Sequence, residues 1–121
     1  MKNKLQPDAW RHLPLSPASL HILLALAVDD LHGYGIMQEI ARQSEGRYKI
    51  GPGTLYDNLK KMMSQGLVEE SSGPAPSGDP RRKYYRLGAL GRGVLAEEVK
   101  RLEGVLRDAR SHLRQLKPRR A

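Results

Sequence analysis

Leu95, Val99, Leu102, Leu106, Ala109, Leu113 and Leu116 follow one another at alternating steps of four and three residues. Apolar side chains at that spacing form a heptad seam along one helix. The helical pattern spans residues 91–117, which at 1.5 Å per residue is roughly 40 Å of helix. A chain of 121 residues folds to a radius of gyration of about 14 Å. The helix therefore overhangs any core the remaining residues build, and its seam needs a partner. The simplest partner is the same helix of a second copy, so a homodimer held by these seven side chains is expected, with intramolecular packing as the alternative.

Upstream, the punctuation divides the chain into shorter helices. Residues 6–13 read as a brief helix, with Pro7 near its start and Trp10 as its anchor. In "LSPASLHILLALAVDD", Ser16 is an N-cap and Pro17 fits the first turn, where a missing N–H costs nothing. Leu20, Leu23, Leu24, Ala27 and Val28 form its apolar face. Gly33 and Gly35 then break and restart the chain, and Ile36, Met37, Ile40 and Ala41 recur at helical spacing up to a stop at Gly46. A short glycine-containing turn leads into "GPGTLYDNLKKMMSQG", residues 51–66, in which Leu55, Leu59, Met62 and Met63 share one face.

The period changes after Gly66. "LVEESS" and "RKYYRL" are rich in strand formers and predict an antiparallel hairpin. Its tip is "GPAPSGDP", residues 73–80, a loop too long for a tight turn. Tyr84 and Tyr85 are adjacent on a strand, so one is expected inward and one outward. The order helix, helix, helix, hairpin, long helix is that of a winged helix-turn-helix. The fold class is mainly α with a small antiparallel β-hairpin. Residues 1–90 make the winged unit with its N-terminal arm, and 91–121 the C-terminal dimerisation helix of the same compact unit.

Charge narrows the partner. Lysine and arginine exceed aspartate and glutamate by eight, and the pI is about 10.0. Such an excess favours a polyanion, nucleic acid before an anionic membrane. Apolar residues are 39% of the chain, enough for a core, with no phenylalanine and a single tryptophan. Cysteine is absent, which removes disulfides, thiolate metal sites and cysteine catalysis together. The longest apolar run, residues 20–28, is far short of the roughly 20 residues a membrane span needs, and it lies too deep for a signal peptide. A cytoplasmic protein with no membrane partner is expected. His12, His21, His32 and His112 lack metal-ligand spacing, and His32 before Gly33 reads as a turn or packing residue. No nucleophile elbow, phosphate loop or carboxylate pair occurs, so no metal, no cofactor and no enzymatic activity are expected.

The helix at residues 51–66 would be the recognition helix. With Leu55 and Leu59 turned inward, Thr54, Asp57, Lys60 and Lys61 point away, and Tyr56 and Asn58 sit on the shoulders. Recognition helices read base edges mainly with their first residues. Thr54 suits a thymine methyl, Asn58 an adenine and Asp57 a cytosine amine, whereas Lys60 and Lys61 suit phosphates. Tyr56 is expected against a phosphate. Arg81, Arg82 and Lys83 supply cations at the wing, and Tyr34 completes the DNA-facing set. The unspecific alternative is an amphipathic helix with a solvated face.

"LHGYGIMQEI", "GPGTLYDNLKKMMSQGLVEE" and "RRKYYRLGALG", in this order, resemble the PadR family of bacterial transcriptional regulators. The resemblance spans residues 20–102. It implies a dimeric winged-helix repressor of the short-tailed subgroup, in which one long C-terminal helix makes the dimer. It further implies control of a detoxification, efflux or stress gene through an inverted-repeat operator in double-stranded DNA. Several members release DNA on binding a small aromatic effector at the dimer centre. Some carry a tryptophan on the dimer helix; here that helix has no aromatic residue, and Trp10 is the one candidate for stacking, with core packing as its other use. Gly88 stands where the family often has threonine, and Gly78-Asp79-Pro80 where it usually has a glycine pair. The rival readings are a winged-helix module for an acidic protein and an RNA-binding domain.

Overall fold

The computed structural model describes residues 8–73 and 82–118. The expected start at Gln6 and Pro7, the wing tip with Arg81, and the terminal arginines lie outside them. A 3-10 turn, Ala9–His12, is followed by α1 (Pro17–Leu26), β1 (Leu31–His32), α2 (Gly33–Gln43), α3 (Pro52–Ser64), β2 (Val68–Ser71), β3 (Tyr84–Leu87) and α4 (Ala89–Gln115). This is a mainly helical winged fold with a small antiparallel sheet and a long C-terminal helix.

Local chemistry accounts for most boundaries. The Ser16 Oγ accepts the Ser19 N–H at 3.1 Å, capping α1, and Pro17 occupies its first turn. Ile22, Leu23, Ala25 and Leu26 face the core. The helix ends at Leu26, two residues before the expected face is complete. Ala27 and Val28 are exposed, Val28 at 83%. Asp29 follows and accepts the Asp30 N–H at 3.1 Å, a local bond that competes with continued helix.

Gly33 and Gly35 do not break the chain; both lie inside α2. A Cβ at Gly33 would overlap the Tyr56 hydroxyl, so its smallness lets α2 and α3 meet. The expected short turn between these helices occupies residues 44–51. Ser44 organises it, its Oγ accepting the Tyr48 N–H at 2.9 Å and donating to the Ile40 carbonyl at 3.0 Å. Leu55, Leu59 and Met62 are buried and Met63 is half-buried, as the helical period requires. At the end of α3 the Leu67 N–H returns to the Met62 carbonyl at 2.9 Å around Gly66, whose φ of +79° favours glycine.

β2 and β3 pair antiparallel, from Val68 opposite Leu87 to Ser71 opposite Tyr84. The hairpin has an unexpected third member. β1 pairs with the other edge of β3, His32 opposite Tyr84 and Leu31 opposite Tyr85, in the order β1-β3-β2. The two tyrosines take opposite faces, but the one turned from the core is covered as well, so both are buried. Tyr85 joins the core, while Tyr84 is covered on the other face by Gly73 and the His32 ring.

The start of α4 lies against the chain at Gly66 and Leu67. The Gly88 N–H donates to the Leu67 carbonyl at 2.9 Å, and a Cβ at Gly88 would stand 2.8 Å from the Gly66 carbonyl oxygen. A threonine would have to displace that backbone, which accounts for glycine here. Val94 and Leu95 complete the core, and Glu98 is 1% exposed. Its carboxylate accepts the Leu15 N–H at 3.0 Å and pairs with Arg101 at 2.6 and 3.0 Å, so it pins the segment after the 3-10 turn to α4. Trp10 is not an anchor: it is 66% exposed, and Ala9 is the buried residue of that turn. No helix among the described residues is long and apolar enough to cross a membrane.

Candidate nucleic-acid interface

α3 begins bare. A Cβ at Gly51 or Gly53 would meet nothing within 4 Å, so the first turn is open to solvent. Thr54, Tyr56, Asp57, Lys60 and Lys61 are exposed. Among the described residues none of Asp57, Lys60 and Lys61 has an ion-pair partner. Asn58 is half-buried, and its amide donates to the Thr54 carbonyl at 2.8 Å. Among the described residues one amide hydrogen and the oxygen have no further partner, which leaves them to an outside one. Lys60 and Lys61 part company. Lys61 lines a shallow groove of about 310 Å³ with Arg11, His12 and Ser16, at the end of α3 away from its first turn.

A second surface lies beside the start of α3. His32, Gly33, Tyr34, Tyr56, Arg82, Lys83 and Tyr85 line a cleft of about 460 Å³. It gathers the first residues of α2, one side chain of α3 and the entry to β3. Tyr34, Tyr56, Arg82 and Lys83 thus come together as the sequence anticipates. His32 and Tyr85 were not anticipated there. The missing signal is β1, which draws His32 onto β3 by a pairing too short to leave a period in the sequence.

Among the described residues the cleft has two cations within it, and their partners are weak. Lys83 Nζ stands 3.7 Å from Glu70, and both side chains are more than half exposed. Arg82 Nη1 lies 3.4 Å from His32 Nε2. Burial, and then the adjacent Arg82 charge, hold the His32 pKa below its ordinary value. Burial first, then Tyr56 and Glu70, push the Tyr85 hydroxyl up. Arg86, outside the cleft, is paired across the strands with Glu69 at 3.1 Å. Exposed pairs of this kind contribute little stability, and a phosphate can replace the carboxylate.

The seven seam residues separate. Leu95 belongs to the core at 8% exposure, so it is not free for a second chain. Leu102 is half-buried, whereas Val99, Leu106, Ala109 and Leu113 are exposed. Leu116 lies just past the helix in extended backbone. Val105, absent from the seam, is exposed beside Leu106.

Residues 22–97 match the model of the "Transcriptional regulator PadR-like family". The chain belongs to that family. The transcriptional regulator Rv3488 of Mycobacterium tuberculosis is 34% identical over 98 residues, covering 81% of this chain and 87% of the relative. A PadR family transcription regulator of hypervirulent Clostridium difficile superposes with a TM-score of 0.65 at 28% identity, over 81% of this chain and all but 1% of the other. Bacillus subtilis PadR, solved in complex with operator DNA, shares the fold at a TM-score of 0.59 and 21% identity, over 71% of this chain and 48% of its own. The family and these relatives are transcriptional regulators, not enzymes.

Proposed function

We propose that this PadR-like regulator is a homodimeric, sequence-specific DNA-binding repressor that acts in the cytoplasm on an inverted-repeat operator. The observation that carries this reading is the adjacency of the open start of α3 to the cleft of Tyr34, Tyr56, Arg82 and Lys83. Base-edge donors and acceptors and a cationic cleft then lie side by side, as a duplex requires of a protein that reads a groove and grips its backbone. Thr54, Asp57 and Asn58 read bases. Lys60 and the cleft residues hold phosphate, with Tyr56 between the two sets. Lys61 grips the backbone from the far end of α3, beside Arg11, and Arg81 continues the basic run of the wing. The B. subtilis relative in its operator complex supports the assignment by fold.

The dimer forms through Val99, Leu102, Leu106, Ala109, Leu113 and Leu116 of two α4 helices, with Leu95 the core residue at which the seam begins. A small aromatic ligand at the dimer centre would release the operator, and the exposed Trp10 is the residue available to stack on it.

A binding selection over random duplex DNA tests the reading. It should enrich an inverted repeat with half-site centres one helical turn, or a multiple of it, apart. If the dimer neutralises about 6–8 phosphates, log K against log salt should slope near −5 to −7. Enrichment of no motif, or a slope near zero, would sink the proposal. Preference for single-stranded RNA would replace it with the RNA-binding alternative.

A further inference from the structure

Among the cations near the cleft, Arg82 is the one whose described partner is not a carboxylate. Its Nη1 faces the His32 Nε2 at 3.4 Å. A guanidinium only donates. The contact is therefore a hydrogen bond only if the imidazole is neutral and presents the Nε2 lone pair, with its proton on Nδ1. The ring is held on several sides. His32 is paired with Tyr84 through β1 and β3, its ring meets the Tyr84 ring edge-on at 5.4 Å, and the first turn of α2 passes close by at Gly35. His32 also immediately precedes α2, so it joins the helix-turn-helix to the wing.

We propose that His32 is a positioning residue: its neutral imidazole holds the Arg82 guanidinium at the cleft, where it meets a DNA phosphate. This rests on the DNA-binding reading above. Without the imidazole, a long flexible side chain would have to be ordered on each binding event, and that loss of freedom opposes association. The other titratable groups around the ring are Lys83, Tyr84 and Tyr85 at β3, Tyr34 on α2 and Tyr56 on α3. Among the described residues none that lines the cleft is a carboxylate, so no described lining group offsets the repulsion of a protonated ring from Arg82.

The test is a double-mutant cycle on the full chain, with the selected duplex as probe and affinity followed against salt. Arg82→Ala should weaken binding roughly tenfold, the equivalent of about 1.4 kcal/mol, and make the salt slope shallower by about 1 for each phosphate no longer neutralised. His32→Leu should reproduce both effects and add nothing in the Arg82→Ala background. His32→Gln, whose amide oxygen can accept from Arg82, should restore most of the affinity. A His32→Leu defect that persists without Arg82, or wild-type affinity in His32→Leu, overturns the proposal while leaving DNA binding intact.

Nitrogen NMR of the free protein judges the His32–Arg82 hydrogen bond without DNA. Unprotonated Nε2 with Nδ1–H is expected, and the His32 titration should move up in Arg82→Ala, because a charge that holds it down is gone. A protonated Nε2, or no movement, overturns the positioning role. If wild type binds no duplex at all, the DNA-binding reading fails and the phosphate role of Arg82 goes with it.

Discussion

The two halves of α4 are written in the same pattern and meet opposite fates. From Ala89 to Arg101 the helix is part of the core. Gly91, Val94, Leu95 and Glu98 are buried, and its first turn lies against the backbone at Leu67. From Glu103 onward every described apolar side chain is exposed, with Leu106 at 48% and Leu113 at 67%. The heptad period runs through both halves without a break. Periodicity therefore states which residues want cover, and only tertiary structure states what covers them.

The largest expected effect lies at the joint between α4 and the core. A Cβ at Gly91 would overlap the Leu67 carbonyl oxygen, and main chain on both sides has no rotamer to yield. Gly91→Leu should prevent a cooperative fold, measured as loss of a thermal unfolding transition. A stable Gly91→Leu protein would mean that α4 docks loosely and that its two halves differ less than their burial implies.

Next comes the leucine comparison. Leu95→Ala removes a buried side chain and should cost about 3 kcal/mol in denaturant unfolding, largely independent of protein concentration. Leu106→Arg should leave folding of the winged unit intact but dissociate the proposed dimer, as read by light scattering. A Leu106→Arg protein that remains dimeric would move the interface off the distal half.

How much of this was legible in the sequence follows from range. The helices of the winged unit, the hairpin pairing, the Ser16 cap and the inward face of α3 are local patterns, and they appear where the residues place them. Leu95 and Leu106 are the same residue on the same heptad seam, so no local rule separates core from overhang. β1 has two residues, and its cause is the complementary edge of Tyr84 and Tyr85 more than fifty positions away. Gly33 reads as a break because its real role, admitting the Tyr56 hydroxyl, needs α3 already in place. The burial of Tyr84 is not legible, because strand alternation assigns faces and does not say that the second face is covered. At the candidate interface, Tyr34, Tyr56, Arg82 and Lys83 were legible as charge and hydroxyl near a wing, whereas His32 enters only through β1.

Glu98 offers a finer separation of the halves. Glu98→Ala strands the Leu15 N–H and should cost about 2 kcal/mol near neutral pH. The Arg101 and Leu15 hydrogen bonds hold the Glu98 carboxyl below the usual carboxylate range, against the opposing effect of burial. Its contribution is therefore present above the unfolded value of about 4.3 and is lost as pH falls through the folded one. The gap between wild type and Glu98→Ala should narrow as pH drops below about 4. A gap that widened toward acid would mean the carboxyl is held protonated in the fold, contradicting its pairing.

The smallest effect is expected one residue earlier. Glu97 pairs with Lys100 at 3.6 Å, three positions on, as Glu98 pairs with Arg101. Spacing and helix are shared; the difference is that the Glu97 carboxylate is nearly half exposed and supports no backbone group. Water solvates it almost as well as the ammonium does, so Glu97→Ala should change stability by less than about 0.5 kcal/mol. Equal losses for Glu97→Ala and Glu98→Ala would mean that the ion pair, not burial and the Leu15 N–H, fastens α4 to the core. The proximal half would then be held by the same surface chemistry the distal half displays, and only the distal leucines would still distinguish the two.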